Sequence, residues 1–385
     1  MNLINTSTTR RKFIQHVSGA IGTSLFAFSS SLTANGFAFG EETSSAAVET
    51  QEPSKQLGVA LVGLGQYSTE QLAPALQETK RCKLAGIVTG TPEKAEKWKS
   101  KYNLADKNIY NYQNFDSIKN NPDIDIVYVV LPNAMHAEYV IRAAKAGKHV
   151  ICEKPMAVSV KECEEMIKAC KDANRLLSIG YRLHFDPYNL TMAELGTKKT
   201  YGEIKLITAR HGMDIEPNVW RLNKKMAGGG PLMDVGIYCV QGVIYTMGKT
   251  PIAVTAAEGP KTDMKRFSEV EQSLTWQFEF HGGAIASCET SYAEEMNFLR
   301  ADAERGWFQL EPAFAYKGLK GETSTGKLDL PHVNQQALQM DDFANCVLQN
   351  KKSKVPGEMG LRDVKILMAI YEAARTGKRV ELTNL

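Results

Sequence analysis

The sequence predicts an α/β protein in two parts, a parallel sheet interleaved with helices and then an antiparallel sheet covered on one face. Three observations predict it. A short apolar run at 57–62 opens into Gly63-Leu64-Gly65-Gln66-Tyr67-Ser68 and then a helical stretch at 69–78. The run DIVYVVL at 125–131 ends at Pro132-Asn133, and continuous apolar runs of this kind suit strands buried on both faces. Beyond residue 180 the runs alternate instead, at 205–210, 271–280, 284–292 and 305–310, as in a sheet with one wet face. A chain of 385 residues is long for one domain, which agrees with two.

At the amino terminus, Arg10-Arg11 precede a mildly apolar stretch at 17–39 that is broken by Gly and Ser. That is too interrupted for a mature transmembrane helix. It resembles a twin-arginine export signal over 1–40, with small residues at Thr33-Ala34 and Phe37-Ala38 as cleavage sites. A chance arginine pair in a tail is the alternative. Residues 41–56 read as a polar arm with no pattern for burial. The expectation is a periplasmic protein handled by the twin-arginine export machinery.

Residues 57–179 read as a dinucleotide-binding domain. The motif is GxGxxG with Ser68 in third place: Gly63 permits the tight turn and Gly65 lets backbone approach a pyrophosphate at the helix start. A plain glycine turn is the alternative. The second strand, 83–88, ends in Thr89-Gly90, where an NAD site usually places an acid, and Lys94 follows one turn into the next helix. Uncharged donors with a cation suit a 2′-phosphate, so NADP is favoured, with NAD possible. Lys94 otherwise belongs to a solvated face with Lys97, Lys99 and Lys101. Pro132, Asn133 and His136 fall where a cofactor ribose passes, although His136 is equally a helix-start residue with a satisfied ring. Strand 148–153 delivers Lys154 at its carboxyl end, where ligands of open α/β sheets collect. A helix at 160–173 and a strand at 176–179 close the sheet.

Residues 180–385 form the second part. Residues 180–189 are dense in polar and aromatic groups, and Trp276, Phe278 and Phe280 line one side of a strand as core or as subunit interface. Gly228-Gly229-Gly230 give a backbone able to approach a ligand closely. Asp234 and Tyr238, four apart, share one helix face. With Lys154 opposite they make a proton-handling set; the alternative is an ordinary helix behind a capping glycine loop. A helix at 361–376, ended by Gly377, is expected to pack back on the first domain.

Composition narrows the function. Residues 1–40 hold Arg10, Arg11 and Lys12 and no acid, and the rest carries 43 acidic side chains against an equal number of basic ones. Such neutrality argues against nucleic acid as a partner. Seven cysteines without CxxC pairs are neither a disulfide framework nor a zinc spacing, and no metal-ligand spacing stands out. Cys163 and Cys170 read as small core residues.

The segments VGLGQY at 62–67, LPNxxHAE at 131–138, AGKHVxCEKPMA at 146–157, GYRxHxDPxN at 180–189 and WRL…AGGGxLMDxGIY at 220–238 resemble the glucose–fructose oxidoreductase / inositol dehydrogenase / rhizopine-catabolism family. The resemblance spans nearly the whole chain. It implies a Rossmann domain plus an α/β domain on a large, mostly antiparallel open sheet through which subunits pair, as a dimer or tetramer. It places Lys154 and Tyr238 at the reacting hydroxyl, with Asp234 as their partner. Cofactor contacts are implied for Gly63, Gly65, Gln66, Tyr67, Thr89, Gly90, Lys94, Leu131, Pro132, Asn133, His136, Glu153, Lys154, Arg182, Trp220 and Arg221. Sugar hydroxyls are assigned to Arg182, His184, Asp186, Asp234 and Tyr238, since polyols need many placed polar partners.

The implied activity is oxidation of an aldose (glucose to gluconolactone) and reduction of a second sugar (fructose to sorbitol) on a tightly held NADP. Exported enzymes meet little free nicotinamide, which favours retention. Another NAD(P)-dependent sugar or glycoside dehydrogenase is the alternative, and a non-catalytic sugar or nucleotide sensor is a third. The stretches 210–218, 261–267 and 313–333 depart from the glucose–fructose pattern and bear on which sugar is used.

Overall fold

The computed structural model describes residues 55–383 and 385. The export-signal reading of 1–40, and the 41–56 arm apart from Lys55 and Gln56, lie outside the described residues. Strands β1 (Leu57–Val62), β2 (Cys82–Val88), β3 (Ile109–Tyr110), β4 (Ile126–Val129), β5 (His149–Cys152) and β6 (Leu177–Ile179) form a parallel sheet in the order 3-2-1-4-5-6. Their apolar runs are buried on both faces because helices flank them. The connections carry α1 (Ala73–Ala75), α2 (Pro92–Tyr102), α3 (His136–Lys145) and α4 (Val160–Asp172). The order reverses between β1 and β4, and the crevice beyond their carboxyl ends is where such sheets take ligands. The helical stretch after the glycine turn is shorter than 69–78. A turn at Ser68–Leu72 leads into α1, and after Pro74 the chain tightens, with Gln77 and Glu78 donating to the carbonyls of Pro74 and Ala75.

The second part brings α5 (Pro187–Thr197), β7 (Ile204–Asp214), α6 (Lys224–Ala227), α7 (Ile237–Met247), β8 (Ala253–Glu258), β9 (Ser273–Glu279), β10 (Ile285–Ser291), β11 (Ala293–Ala303) and β12 (Gly306–Leu310). It continues with β13 (Gly321–Thr323), β14 (Gly326–Leu328), α8 (Gln335–Gln349), α9 (Gly357–Thr376) and β15 (Val380–Glu381). The sheet order is 14-13-12-11-7-10-9-8-15. Only β7 and β10 run parallel among these pairs, so the sheet is mostly antiparallel. Trp276, Phe278 and Phe280 are buried in the core, which decides against an interface role for that stripe. Cys163 and Cys170 are buried too.

The chain does not leave the first sheet behind at residue 180. Helix α8 lays Ala337, Met340, Phe343 and Ala344 on the β1–β2 side of that sheet, against Leu57, Leu61 and Ile87. Helix α9 packs on α4 and β6 as well as on β8 of the second sheet. Helix α9 thus bridges the two sheets, while α8 covers the first sheet and meets the Arg182–Phe185 turn that opens the second part.

Phe343 is almost wholly buried between α8 and the first sheet. Phe343→Ala is expected to lower unfolding free energy by about 3–5 kcal/mol, read as a lower urea midpoint at unchanged slope. A midpoint equal to that of the native chain contradicts this packing.

Candidate active site

Strand β5 ends by placing Lys154 in the crevice. Its ammonium donates to the Asp234 carbonyl at 2.6 Å and to Asp234 Oδ1 at 3.1 Å. Asp234 comes from the helical turn Leu232–Gly236 that runs into α7, and Tyr238 follows one turn later. The Lys154 ammonium stands 4.9 Å from the Tyr238 ring centre. The structure therefore brings Lys154, Asp234 and Tyr238 together from the two sheets.

The second Asp234 oxygen accepts from the Tyr292 hydroxyl at 3.0 Å and pairs with Arg221 Nε at 2.9 Å. Arg221 in turn lies over the Trp220 ring, 4.7 Å from its centre. Burial pushes the Asp234 carboxyl up. The charges of Arg221 and Lys154 and the hydrogen bonds from Lys154 and Tyr292 outweigh it and hold the carboxyl well below its usual range. For Lys154, burial pulls down, but Tyr238 and Asp234 prevail and raise it. The pair is ionised at neutral pH. Around Tyr238 stand the Arg182 guanidinium at 5.2 Å and the rings of His211 (5.2 Å) and Phe314 (6.1 Å). His211 Nδ1 faces the Val235 carbonyl at 3.3 Å, which fixes its proton on that nitrogen.

The glycine turn lies at the carboxyl end of β1. Gly63 has φ +94°, and a Cβ there would stand 2.3 Å from the Val130 carbonyl oxygen. A Cβ on Gly65 would meet nothing within 4 Å, so the backbone there faces open space. Ser68 Oγ donates to the Gly63 carbonyl at 2.6 Å and ties turn to helix. This cradle at a helix start fits a dinucleotide pyrophosphate. Lys94 reaches back over it, its ammonium 3.4 Å from the Leu64 carbonyl, while Lys99 is engaged with Asp106. Gly90 is exposed beside Tyr112; Thr89 is buried, and its hydroxyl accepts from the Thr91 N–H. Gln66 bonds Glu70 on the surface. The Tyr67 ring lies 5.8 Å from that of Tyr316 across the crevice. Leu131 is buried beside Pro132, and the buried Asn133 amide donates to the Ala227 carbonyl at 2.8 Å.

Several expected ligand contacts are corrected. His136 is fully buried, with both ring nitrogens facing the carbonyls of Pro155 and Leu131, so it ties backbone and does not meet a ribose. Asp186 is buried as the cap of α5, accepting from Tyr188 and Asn189 N–H and from the Gln335 amide, so it is closed to sugar hydroxyls. His184 is committed to Gln241, which bonds Asp363. Arg182 donates to Gln335 and to the carbonyls of Phe314 and Ala315, its Nε has no partner among the described residues, and its guanidinium lies over the rings of Tyr238 and Tyr316. Arg221 pairs with Asp234 instead of standing free for a cofactor. Both Glu153 oxygens are engaged, one by Tyr128 OH at 2.6 Å and the other by the Lys154 N–H. The Gly228–Gly230 backbone approaches protein, not ligand, since Val158, Tyr371 and Glu271 crowd it. Sequence reasoning gave no role to Tyr292, His211 and Tyr316, although Tyr292 ends an alternating run and His211 and Tyr316 fall in the stretches 210–218 and 313–333 that depart from the glucose–fructose pattern.

Comparison with known proteins places the chain. Residues 57–181 match the model described as "Oxidoreductase family, NAD-binding Rossmann fold". Residues 189–309 match the GFO/IDH/MocA C-terminal domain, and 302–382 match the oxidoreductase family C-terminal alpha/beta domain. The aldose-aldose oxidoreductase of Caulobacter crescentus, solved with glycerol, is 40% identical at a TM-score of 0.83, over 85% of this chain and 100% of that one. The NADP(+) D-xylose 1-dehydrogenase of Haloarcula marismortui is 28% identical over 84% of this chain and 92% of its own. D-glucoside 3-dehydrogenase of Escherichia coli is 28% identical over 86% and 98%.

His211 gives the site a signature in acid. Burial, then the charges of Lys154 and Arg182, bring its pKa down to about 3. An unfolded histidine titrates near ~6.5, so between those values the unfolded chain binds a proton that the native one refuses. Native stability therefore falls as pH drops through this window, by about 1.4 kcal/mol per unit from this residue. Urea unfolding from pH 6 to 4 should show His211→Asn flattening the slope by that amount. An unchanged slope contradicts the assignment.

Proposed function

The chain belongs to the GFO/IDH/MocA oxidoreductase family, and from that premise we propose an exported, NADP-containing enzyme that oxidises one sugar and reduces another without releasing its cofactor. The observation that carries the reading is the convergence of Lys154, Asp234 and Tyr238 at the end of β5, beside the Gly63–Gly65 turn. When bound, the nicotinamide supplies the hydride acceptor and donor. The chain handles the proton. Lys154 holds the reacting sugar oxygen next to Tyr238, which enters the oxidising direction as the phenolate and takes the hydroxyl proton to become the phenol. The Lys154 ammonium and the Arg182 guanidinium stand 4.9 and 5.2 Å from the centre of the Tyr238 ring. In reverse, Tyr238 returns the proton to a carbonyl oxygen that Lys154 polarises. Asp234 keeps Lys154 charged and aimed.

NADP is favoured over NAD by Thr89-Gly90 at the end of β2 and by Lys94 over the glycine turn. Export rests on Arg10-Arg11 ahead of the apolar stretch. Subunit pairing into a dimer or tetramer is assigned to the open face of the second sheet, where Thr275 and Gln277 alternate with buried residues. Glucose oxidised to gluconolactone with fructose reduced to sorbitol is the leading pair. The likeness to an aldose-aldose oxidoreductase favours a second reading, with another aldose replacing fructose. The likeness to a D-xylose 1-dehydrogenase and a D-glucoside 3-dehydrogenase favours the alternative of an NAD(P)-dependent sugar or glycoside dehydrogenase.

The enzyme should be recovered from the periplasmic fraction and denatured to identify released nucleotide. Stoichiometric NADP, reduced on adding glucose and reoxidised by fructose or a second aldose, is the expected outcome. An empty protein that needs added cofactor contradicts retention.

A further inference from the structure

The turn that carries Asp234 begins at Gly230-Pro231-Leu232, and nothing local can cap it. Its first residues offer no Ser, Thr, Asp or Asn, and Pro231 at the cap position supplies no side-chain hydrogen bond. Pro231 has no N–H, and the buried amides of Gly230 and Leu232 find no partner within the turn itself. Both are taken by Glu271, a buried residue on the approach to β9: Gly230 N–H donates to Oε2 at 3.0 Å and Leu232 N–H to Oε1 at 3.3 Å. The Tyr371 hydroxyl on α9 donates to the same carboxylate at 2.7 Å.

The adjoining glycines make room for this clamp. A Cβ on Gly229 would stand 2.0 Å from the Tyr371 hydroxyl, and one on Gly230 would stand 2.6 Å from the Glu271 carbonyl oxygen. From Gly230 the turn winds directly to the site, since its carbonyl accepts from Met233 N–H and, at 3.4 Å, from Asp234 N–H. The Asp234 carbonyl and carboxylate are the two acceptors of the Lys154 ammonium. A carboxylate at the start of a helical turn also meets the positive end of its dipole.

We propose that Glu271, held by Tyr371, is a positioning residue that caps the Asp234 turn from a distance and so aims the Lys154 ammonium. This rests on the reading that Lys154, Asp234 and Tyr238 carry the chemistry. Glu271 touches no reacting group; it acts through Asp234.

The test uses full-length Glu271→Gln, Tyr371→Phe, Asp234→Asn and the Glu271→Gln/Asp234→Asn double variant. One readout needs neither substrate nor cofactor turnover: acetylation of Lys154 by N-hydroxysuccinimidyl acetate, followed by peptide mass spectrometry. The other is kcat and KM with glucose. Glu271→Gln is expected to raise Lys154 labelling and lower kcat about tenfold each, with bound cofactor and KM near native. In the Asp234→Asn background it should add less than about twofold, because coupled residues are not additive. Tyr371→Phe should shift both readouts the same way by about threefold, and it decides the matter if Glu271→Gln fails to fold. Native labelling in Glu271→Gln, or full additivity with Asp234→Asn, overturns the proposal. If Asp234→Asn turns over like the native chain, the reading of the site fails, and Lys154 labelling in Glu271→Gln still decides the clamp.

Discussion

The Lys154–Asp234 ion pair is the constraint on which the rest depends. It joins residues 80 apart in sequence, one at the end of a parallel strand and the other in a turn of the second part. Neither charge tolerates burial alone, since an unpaired buried charge costs several kcal/mol. The surroundings supply the compensation: Arg221 and Tyr292 on the carboxylate, and the Asp234 carbonyl on the ammonium. The pair therefore holds only if both sheets sit in register, which α8 and α9 ensure by packing on the first sheet from the far end of the chain.

The same arrangement sets the electrostatics around Tyr238. Two cations face its ring, and the imidazole beside it is kept neutral by burial and by those cations. A neutral His211 with its proton on Nδ1 leaves Nε2 as an acceptor. The site thus combines positive charge at one side of the phenol with an uncharged acceptor at another, which suits a polyol that must be oriented through its hydroxyls.

Much of this was legible in the sequence, and the failures have physical causes. The strand–glycine turn–helix unit and the end of β5 are local patterns, so Gly63, Gly65 and Lys154 fell where expected. Asp234 and Tyr238 share a helical face by spacing alone. Strand β11, with Glu294, Glu295, Arg300 and Asp302, hid because its charges mask alternation. Asp186 was misread although its signature was present: an Asp before Pro at a helix start is a cap. For His136 the structure bears out the helix-start reading with a satisfied ring, whereas the bonds of Arg182 to Gln335 and to the carbonyls of Phe314 and Ala315 come from remote sequence and are invisible there. Tyr316, His211 and Tyr292 reach the site from separate elements, and only tertiary packing brings them there.

The central claim is that Tyr238 handles the hydroxyl proton in a site aimed by Lys154 and Asp234. The most direct measurement is rapid-mixing reduction of bound nicotinamide in Tyr238→Phe, using the aldose that the native enzyme oxidises. The account predicts full cofactor content and a reduction rate lowered by roughly 10²–10⁴, the range for loss of general acid–base catalysis. A rate near that of the native enzyme, with cofactor still bound, would contradict it.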